Sequence, residues 1–320
     1  MKQADARVTG RFHDELREDL DYGYQAQPAA THYAGVATIH GRELARRLRR
    51  AQKVAGLDGV TLARALGISE SRLSRIMHGG VVPSLAEAAA VLAVCGVAGE
   101  TRDRVLDLCH PRHDRGILRL SNDAQWDALC FHAAEASRMI EYQPMVVPWL
   151  AQTEGYSRAW FAPSVEKAGQ LVTVSMDSPS PAARSALREL LPELNSVELI
   201  IHERALRAPV GDQATRATQL RHLRRLSGFR NVSLWTVPDG RGLPVRALSG
   251  FTILDFKDKP SLVFREDPTG GVFFDDPVEV TLHRRIVEHL GQIASDVRDS
   301  RELIEEIVGE CAPGSNSIVS

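Results

Sequence analysis

Apolar residues first settle into a helical rhythm at Gly41. Leu44, Leu48, Ala51 and Ala55 recur at i, i+4, i+7 and i+11, with Arg42, Arg46, Arg47, Arg49, Arg50 and Lys53 between them, which predicts an amphipathic helix with a strongly basic outer face. Before it, residues 1–38 mix charge with small residues and hold no sustained period, so they read as a poorly ordered leader. Two short helices follow around Gly67: Leu62, Ala63 and Leu66 line the first, and Leu73 and Ile76 line the second, which opens after Ser69, a good N-cap. Gly67 suits the turn because a helix C-terminus commonly ends in a left-handed conformation that costs glycine nothing. Ser84 and Glu87 form a capping box for an Ala- and Val-rich helix over 85–94, and Thr101 is expected to cap a last helix reaching Leu108.

Residues 39–109 therefore form a mainly α, five-helix domain. The stretch 110–122 reads as a linker, residues 123–310 as a second domain, and 311–320 as a frayed tail. The second domain begins helical through SNDAQWDALCFHAAEASRMIEYQ, with a further helix near PAARSALRELLPEL. Strand-like runs follow at 197–201, 232–237, 251–256 and 261–264, and KDKP between the last two predicts an antiparallel hairpin. Helices return over 278–308. Helices, a run of strands, then helices predict an α+β domain with an antiparallel sheet rather than a doubly wound one.

Charge changes this picture locally. The net charge is −2, so the protein as a whole is no polycation, yet residues 40–115 are near +5 and leave the remainder near −7. The four cysteines, Cys95, Cys109, Cys130 and Cys311, are far apart without a C-x-x-C pair, and no apolar run approaches a membrane span of roughly 18 to 20 residues. A reduced, cytoplasmic, nucleoid-associated protein without a membrane role is expected.

On the second short helix, Glu70, Ser71, Ser74, Arg75 and His78 share one face that carries no large apolar residue. Arginine can make a bidentate contact to guanine, and short hydroxyls let a backbone approach base edges, so this face is a candidate for the major groove. With Ala63, Gly67, Leu73 and Ile76 at their spacing, and Gly79 and Pro83-Ser84 beyond, residues 39–109 resemble the helix-turn-helix of the phage-repressor-like, or XRE, family. The resemblance implies base contacts from Glu70, Ser71, Ser74 and Arg75, with Arg72 and His78 near the DNA backbone. Arg46 and Arg47 add a basic face. Gly59 departs from a glutamine frequent in the family, and Val81-Val82 replace frequent basic residues, which implies fewer phosphate contacts.

The stretches MIEYQPMVVPWLAQTEGYSRAW, VELIIHERALRAPVGDQATRATQLRHLRRL, NVSLWTVP and GFTILDF resemble the DUF5753 domain fused to such helix-turn-helices in actinobacterial regulators, with Trp149 where a glycine is common. That resemblance implies a sensor or assembly domain and a small partner protein encoded nearby. Trp149, Tyr156 and Trp160 are candidates for the wall of a ligand pocket, although aromatics at near-helical spacing more often form core.

Catalysis finds little support. His202, Glu203, Asp255, Asp275 and Asp276 lie near strand ends without an enforcing spacing, and no G-x-S-x-G, H-E-x-x-H or phosphate-binding glycine loop is present. Cys109, His110 and His113, with Cys130 and His132, straddle Pro111 and lack the paired spacing of a zinc site. No enzyme, metal or cofactor is expected. The sequence points to a sequence-specific DNA-binding transcriptional regulator, a homodimer on an inverted-repeat operator of double-stranded DNA. Its second domain would serve dimerisation, ligand sensing or a small partner; the alternative is a partner-holding, antitoxin-like module that binds DNA weakly.

Overall fold

A computed structural model describes residues 38–109, 116–120, 123–160, 186, 188–243, 247–267 and 270–311. The leader up to residue 37, residues 110–115 of the expected linker and the tail from residue 312 lie outside the described residues. Two compact units are present. One runs up to Arg119 and takes in Phe273–Pro277; the other holds Leu120–Val272 and the chain from Val278.

The first unit contains α1 (Ile39–Val54), α2 (Gly59–Leu66), α3 (Glu70–Met77), α4 (Leu85–Val94) and α5 (Gly99–Asp107). Leu44, Leu48, Ala51, Leu62, Ala63, Leu73, Ile76, Met77, Val91, Leu92 and Val105 make one apolar core. Ala55, expected on that stripe, is instead the exposed C-cap of α1, because the chain turns away at Gly56. Gly67 has φ +66°, and the Gly67 and Ile68 amides donate to the Arg64 and Ala63 carbonyls at 3.2 and 3.1 Å, closing α2 as expected. Asp58 and Ser69 cap α2 and α3, accepting from the Thr61 and Arg72 amides at 2.7 and 3.2 Å. Thr101 is not a cap: α5 begins after Ala98, whose extended backbone fills the cap position without a side-chain bond. At the other end, the start of α1 is held by Thr38 and by Asp275, whose carboxylate accepts from the Ile39 amide at 2.5 Å.

The second domain is built on a seven-stranded sheet in the order β1-β7-β6-β5-β2-β3-β4. Its strands are β1 (Ile117–Leu120), β2 (Arg138–Gln143), β3 (Val197–His202), β4 (Val232–Val237), β5 (Phe251–Asp255), β6 (Leu262–Asp267) and β7 (Gly270–Phe274). Helices α6 (Asp123–Glu135), α7 (Glu203–Arg207), α8 (Gln213–Leu226), α9 (Pro277–Ile293) and α10 (Val297–Glu310) complete it.

The expected hairpin is there, with β5 antiparallel to β6, and β2 runs antiparallel to β5. The sheet is nevertheless mixed, for β2, β3 and β4 are parallel. Helices α7 and α8 make the β3–β4 pairing possible, since only a crossover returns the chain to the start of a parallel neighbour. Both β3 and β7 are buried along their whole length, as strands covered on two faces must be.

Three strands depart from the sequence expectation. Ile117–Leu120, in the expected linker, forms β1, and the GGVFF run forms β7. Residues 138–143, expected to continue a helix, form β2; its Glu141 is fully buried, accepts from the Trp149 amide at 2.7 Å, and is pushed up to about 7 by that burial. The helices expected over 278–308 are α9 and α10, with a break between them where Asp296 N-caps α10. That break serves the sheet: the Ser295 amide donates to the Thr236 carbonyl and the Thr236 amide donates to Ser300 Oγ, each at 2.8 Å, so both backbone groups of Thr236 on edge strand β4 are covered.

Gly271 on β7 has no room for a side chain. A Cβ there would overlap the edge of the buried Phe264 ring and stand 2.6 Å from Gln125 Oε1. Gly271→Ala is expected to cost about 1 to 3 kcal/mol. Gly59→Ala, on a helix with nothing within 4 Å of the new Cβ, should leave stability unchanged or raise it by up to about 1 kcal/mol. Denaturant unfolding of the two variants measures the contrast.

Candidate nucleic-acid interface

The candidate interface is the outer face of α3. Its inner positions, Leu73, Ile76 and Met77, are buried, and this forces Glu70, Ser71, Ser74, Arg75 and His78 outward together. The grouping expected from sequence is thus present as one exposed face. His78 closes the helix: its Nδ1 lies 2.8 Å from the Ser74 carbonyl, which can only accept, so Nδ1 donates and Nε2 is the ring nitrogen left for a partner.

Arg72 is placed differently from its neighbours. Its Nε donates to Glu87 Oε1 at 2.7 Å, tying α3 to α4. The other Glu87 oxygen accepts from the Ser84 amide and hydroxyl, both at 2.9 Å, completing the capping box. Together the Arg72 bond and the Ser84 bonds hold the Glu87 carboxyl down to about 2. At the far end of α3, Arg49 of α1 donates to the Met77 carbonyl.

The strongly basic outer face expected for α1 is largely turned to internal use. Arg42 is buried, with 6 % of its surface exposed. Arg46 grips Glu43 with two bonds of 2.7 Å and Arg47 adds one of 2.6 Å, while Glu43 itself is fully buried. Removing either arginine would leave a buried carboxylate half-neutralised, so these side chains act first as struts. The physical reason is the helical spacing: Glu43 lies three and four residues before them.

Lys53, in the last turn of α1, is exposed, and open cations also lie on the next two helices. Arg64 is exposed on α2, and among the described residues its side chain makes neither an ion pair nor a hydrogen bond; the same holds for Arg75. Arg64 is not among the candidates read from sequence, although Leu62, Ala63 and Leu66 facing inward place position 64 outward.

The remaining candidates serve the second domain's own structure. Trp149 packs edge-on against Trp126 at 5.1 Å between ring centroids, and Tyr156, buried, accepts from the Val147 amide at 3.2 Å. Burial pushes the Tyr156 phenol up to about 12. These two are core, while Trp160 is exposed at the end of the helical stretch 154–160 whose buried face carries Tyr156.

His202 Nδ1 caps α7 by accepting from the Arg204 amide, Glu203 pairs with Arg207 at 2.7 Å, and Asp255 pairs with Arg284 at 2.6 Å. Cys109 and Cys130 are half-buried, and burial pushes the Cys109 thiol up; His132 is buried; His110 and His113 lie outside the described residues. Among the described residues no cluster of three metal-ligating side chains forms, and no helix is long and apolar enough to cross a membrane.

Known families match both parts of the chain. A family model described as a helix-turn-helix domain matches residues 43–105, the span of α1 to α5. The model described as "Domain of unknown function (DUF5753)" matches residues 127–306, more than half of the chain. The chain belongs to the DUF5753 family. No curated protein and no solved structure matches it. In this DUF5753 protein the helix-turn-helix domain supports a DNA-binding regulator, and α3 is the element that such a domain offers to the major groove.

Glu87→Gln tests the clamp. A carboxyl whose folded value lies below its ordinary 4.5 contributes stability in full above that pH, loses it as pH falls, and contributes none near 2. The variant is therefore expected to be less stable than wild type at neutral pH, with the difference closing between about pH 4.5 and about 2. Chemical denaturation across that range reads it.

Proposed function

We propose that this protein is a sequence-specific transcriptional regulator of the XRE type, of the actinobacterial kind, acting as a homodimer on an inverted repeat. The observation that carries the proposal is the exposed face of α3, which presents Glu70, Ser71, Ser74 and Arg75 while all its apolar residues face the core. In the major groove Arg75 would donate two bonds to guanine, Glu70 would accept from a cytosine amine, and the two serines would bond to either base. Arg64 supplies a phosphate contact from α2. Helix α3 is held against α4 by Arg72 and against α1 by Arg49, so it meets DNA in one orientation. The second domain would then control dimerisation, ligand response or the holding of a small partner protein.

One observation favours a second reading. Arg46, Arg47 and Arg72 are spent on internal carboxylates, which leaves few cations for phosphates and suits a partner-holding module with weak DNA binding.

Selection of bound sequences from a random duplex pool, at two salt concentrations, separates the two. A regulator enriches an inverted repeat with half-sites about 10 base pairs apart, and absence of any enrichment would sink this reading. Arg75→Ala should cost about 1 to 3 kcal/mol of operator binding and relax the sequence preference. Arg64→Ala should weaken all sequences alike and reduce the salt slope by about 1.

A further inference from the structure

Helices α8 and α10 pack together in the second domain, and between them lies a hollow of about 330 Å³ lined by Arg221, Arg224, Arg225, Gly228 and Arg301. The three arginines of α8 sit at i, i+3 and i+4, so they leave one face of one turn and converge with Arg301 from α10 rather than forming a stripe. The opposite face of α8 is anchored by Leu220, Leu223 and Leu226, all buried, which fixes the platform that carries the guanidinium groups.

This concentration of like charge is poorly neutralised within the chain. Among the described residues, Glu305 is the one carboxylate paired with it, and it is shared at 3.7 Å from Arg224 and 3.8 Å from Arg301. Arg221 bonds to its own helix, with Nε donating to the Ala217 carbonyl and Nη2 to Thr218 Oγ1. Arg225 donates to His222 Nδ1 at 3.0 Å, and burial together with Arg225 and Arg188 lowers the pKa of that histidine. The positive field is therefore real at neutral pH, and it sits in a part of the chain whose net charge is negative.

We infer that this hollow binds a small molecule bearing a diphosphate or an equally compact group of phosphate charges. Guanidinium forks match phosphate oxygens in pairs, and four of them converging suit more than one phosphate. Among the described residues the lining is four arginines and a glycine, so recognition falls on the guanidinium charge rather than on stacking. Concavity and the single-turn spacing favour a compact ligand over the extended backbone of a duplex. The site rests on α8 and α10 and is independent of the DNA reading.

Calorimetric titration of the full chain with pyrophosphate, in the absence of DNA, tests it. Saturable binding is expected, tighter for pyrophosphate than for orthophosphate by about tenfold or more, and weakened at least about tenfold by the double change Arg221→Ala, Arg225→Ala. Glu305→Gln should tighten binding severalfold by freeing Arg224 and Arg301, an outcome that loss of packing cannot produce and that decides the matter if the double variant fails to fold. Arg298→Ala, elsewhere on α10, should leave affinity unchanged. Absence of saturation at millimolar pyrophosphate, equal affinity for orthophosphate, or indifference to Glu305→Gln would overturn the inference. Displacement of pyrophosphate by random-sequence duplex would do the same and make the hollow a DNA-backbone contact.

Discussion

The presentation of α3 depends on one carboxylate. Glu87 uses one oxygen to close the capping box at the start of α4 and the other to hold Arg72 on α3. A short helix of eight residues has little stability of its own, since nucleation costs more than so few bonds return. Its orientation must come from packing and from ties at its ends. Leu73, Ile76 and Met77 supply the packing, while Arg72 and Arg49 supply the ties. The outward face is then fixed as a consequence.

The same partition of charge runs through the molecule. Where an arginine follows a glutamate by three or four residues on a helix, as at Glu43 with Arg46 and Arg47 or Glu203 with Arg207, the cation is consumed locally. Where no acid lies at that spacing, as at Arg64, Arg75 and Arg221, it stays open to an external anion. Counting basic residues therefore overstates the binding surface, and the position of neighbouring acids decides which of them can act. Among the described residues such open arginines stand on the helix-turn-helix and around the hollow between α8 and α10.

In the second domain, burial overrides residue polarity. Glu141 sits in the middle of β2, fully buried, and its cost is offset by the Trp149 amide that it accepts from. The break between α9 and α10 meets the sheet at β4. Ser295 and Ser300 at that break satisfy both backbone groups of Thr236 on this edge strand.

The sequence by itself determined the local features. Five helices, the Gly67 turn, the Ser69 and Ser84 caps and the α3 face follow from period, capping chemistry and glycine conformation, all of which act over a few residues. Strands β3 to β6 were legible for the same reason, each being a short apolar or β-branched run between turn residues. Tertiary structure alone decided what depends on distant partners. It placed residues 138–143 in a strand between β3 and β5, made β2, β3 and β4 parallel, and buried Trp149 and Tyr156 as core. It also sorted the arginines, because whether a guanidinium meets a carboxylate or solvent is set by the packing of helices that the one-dimensional pattern does not contain.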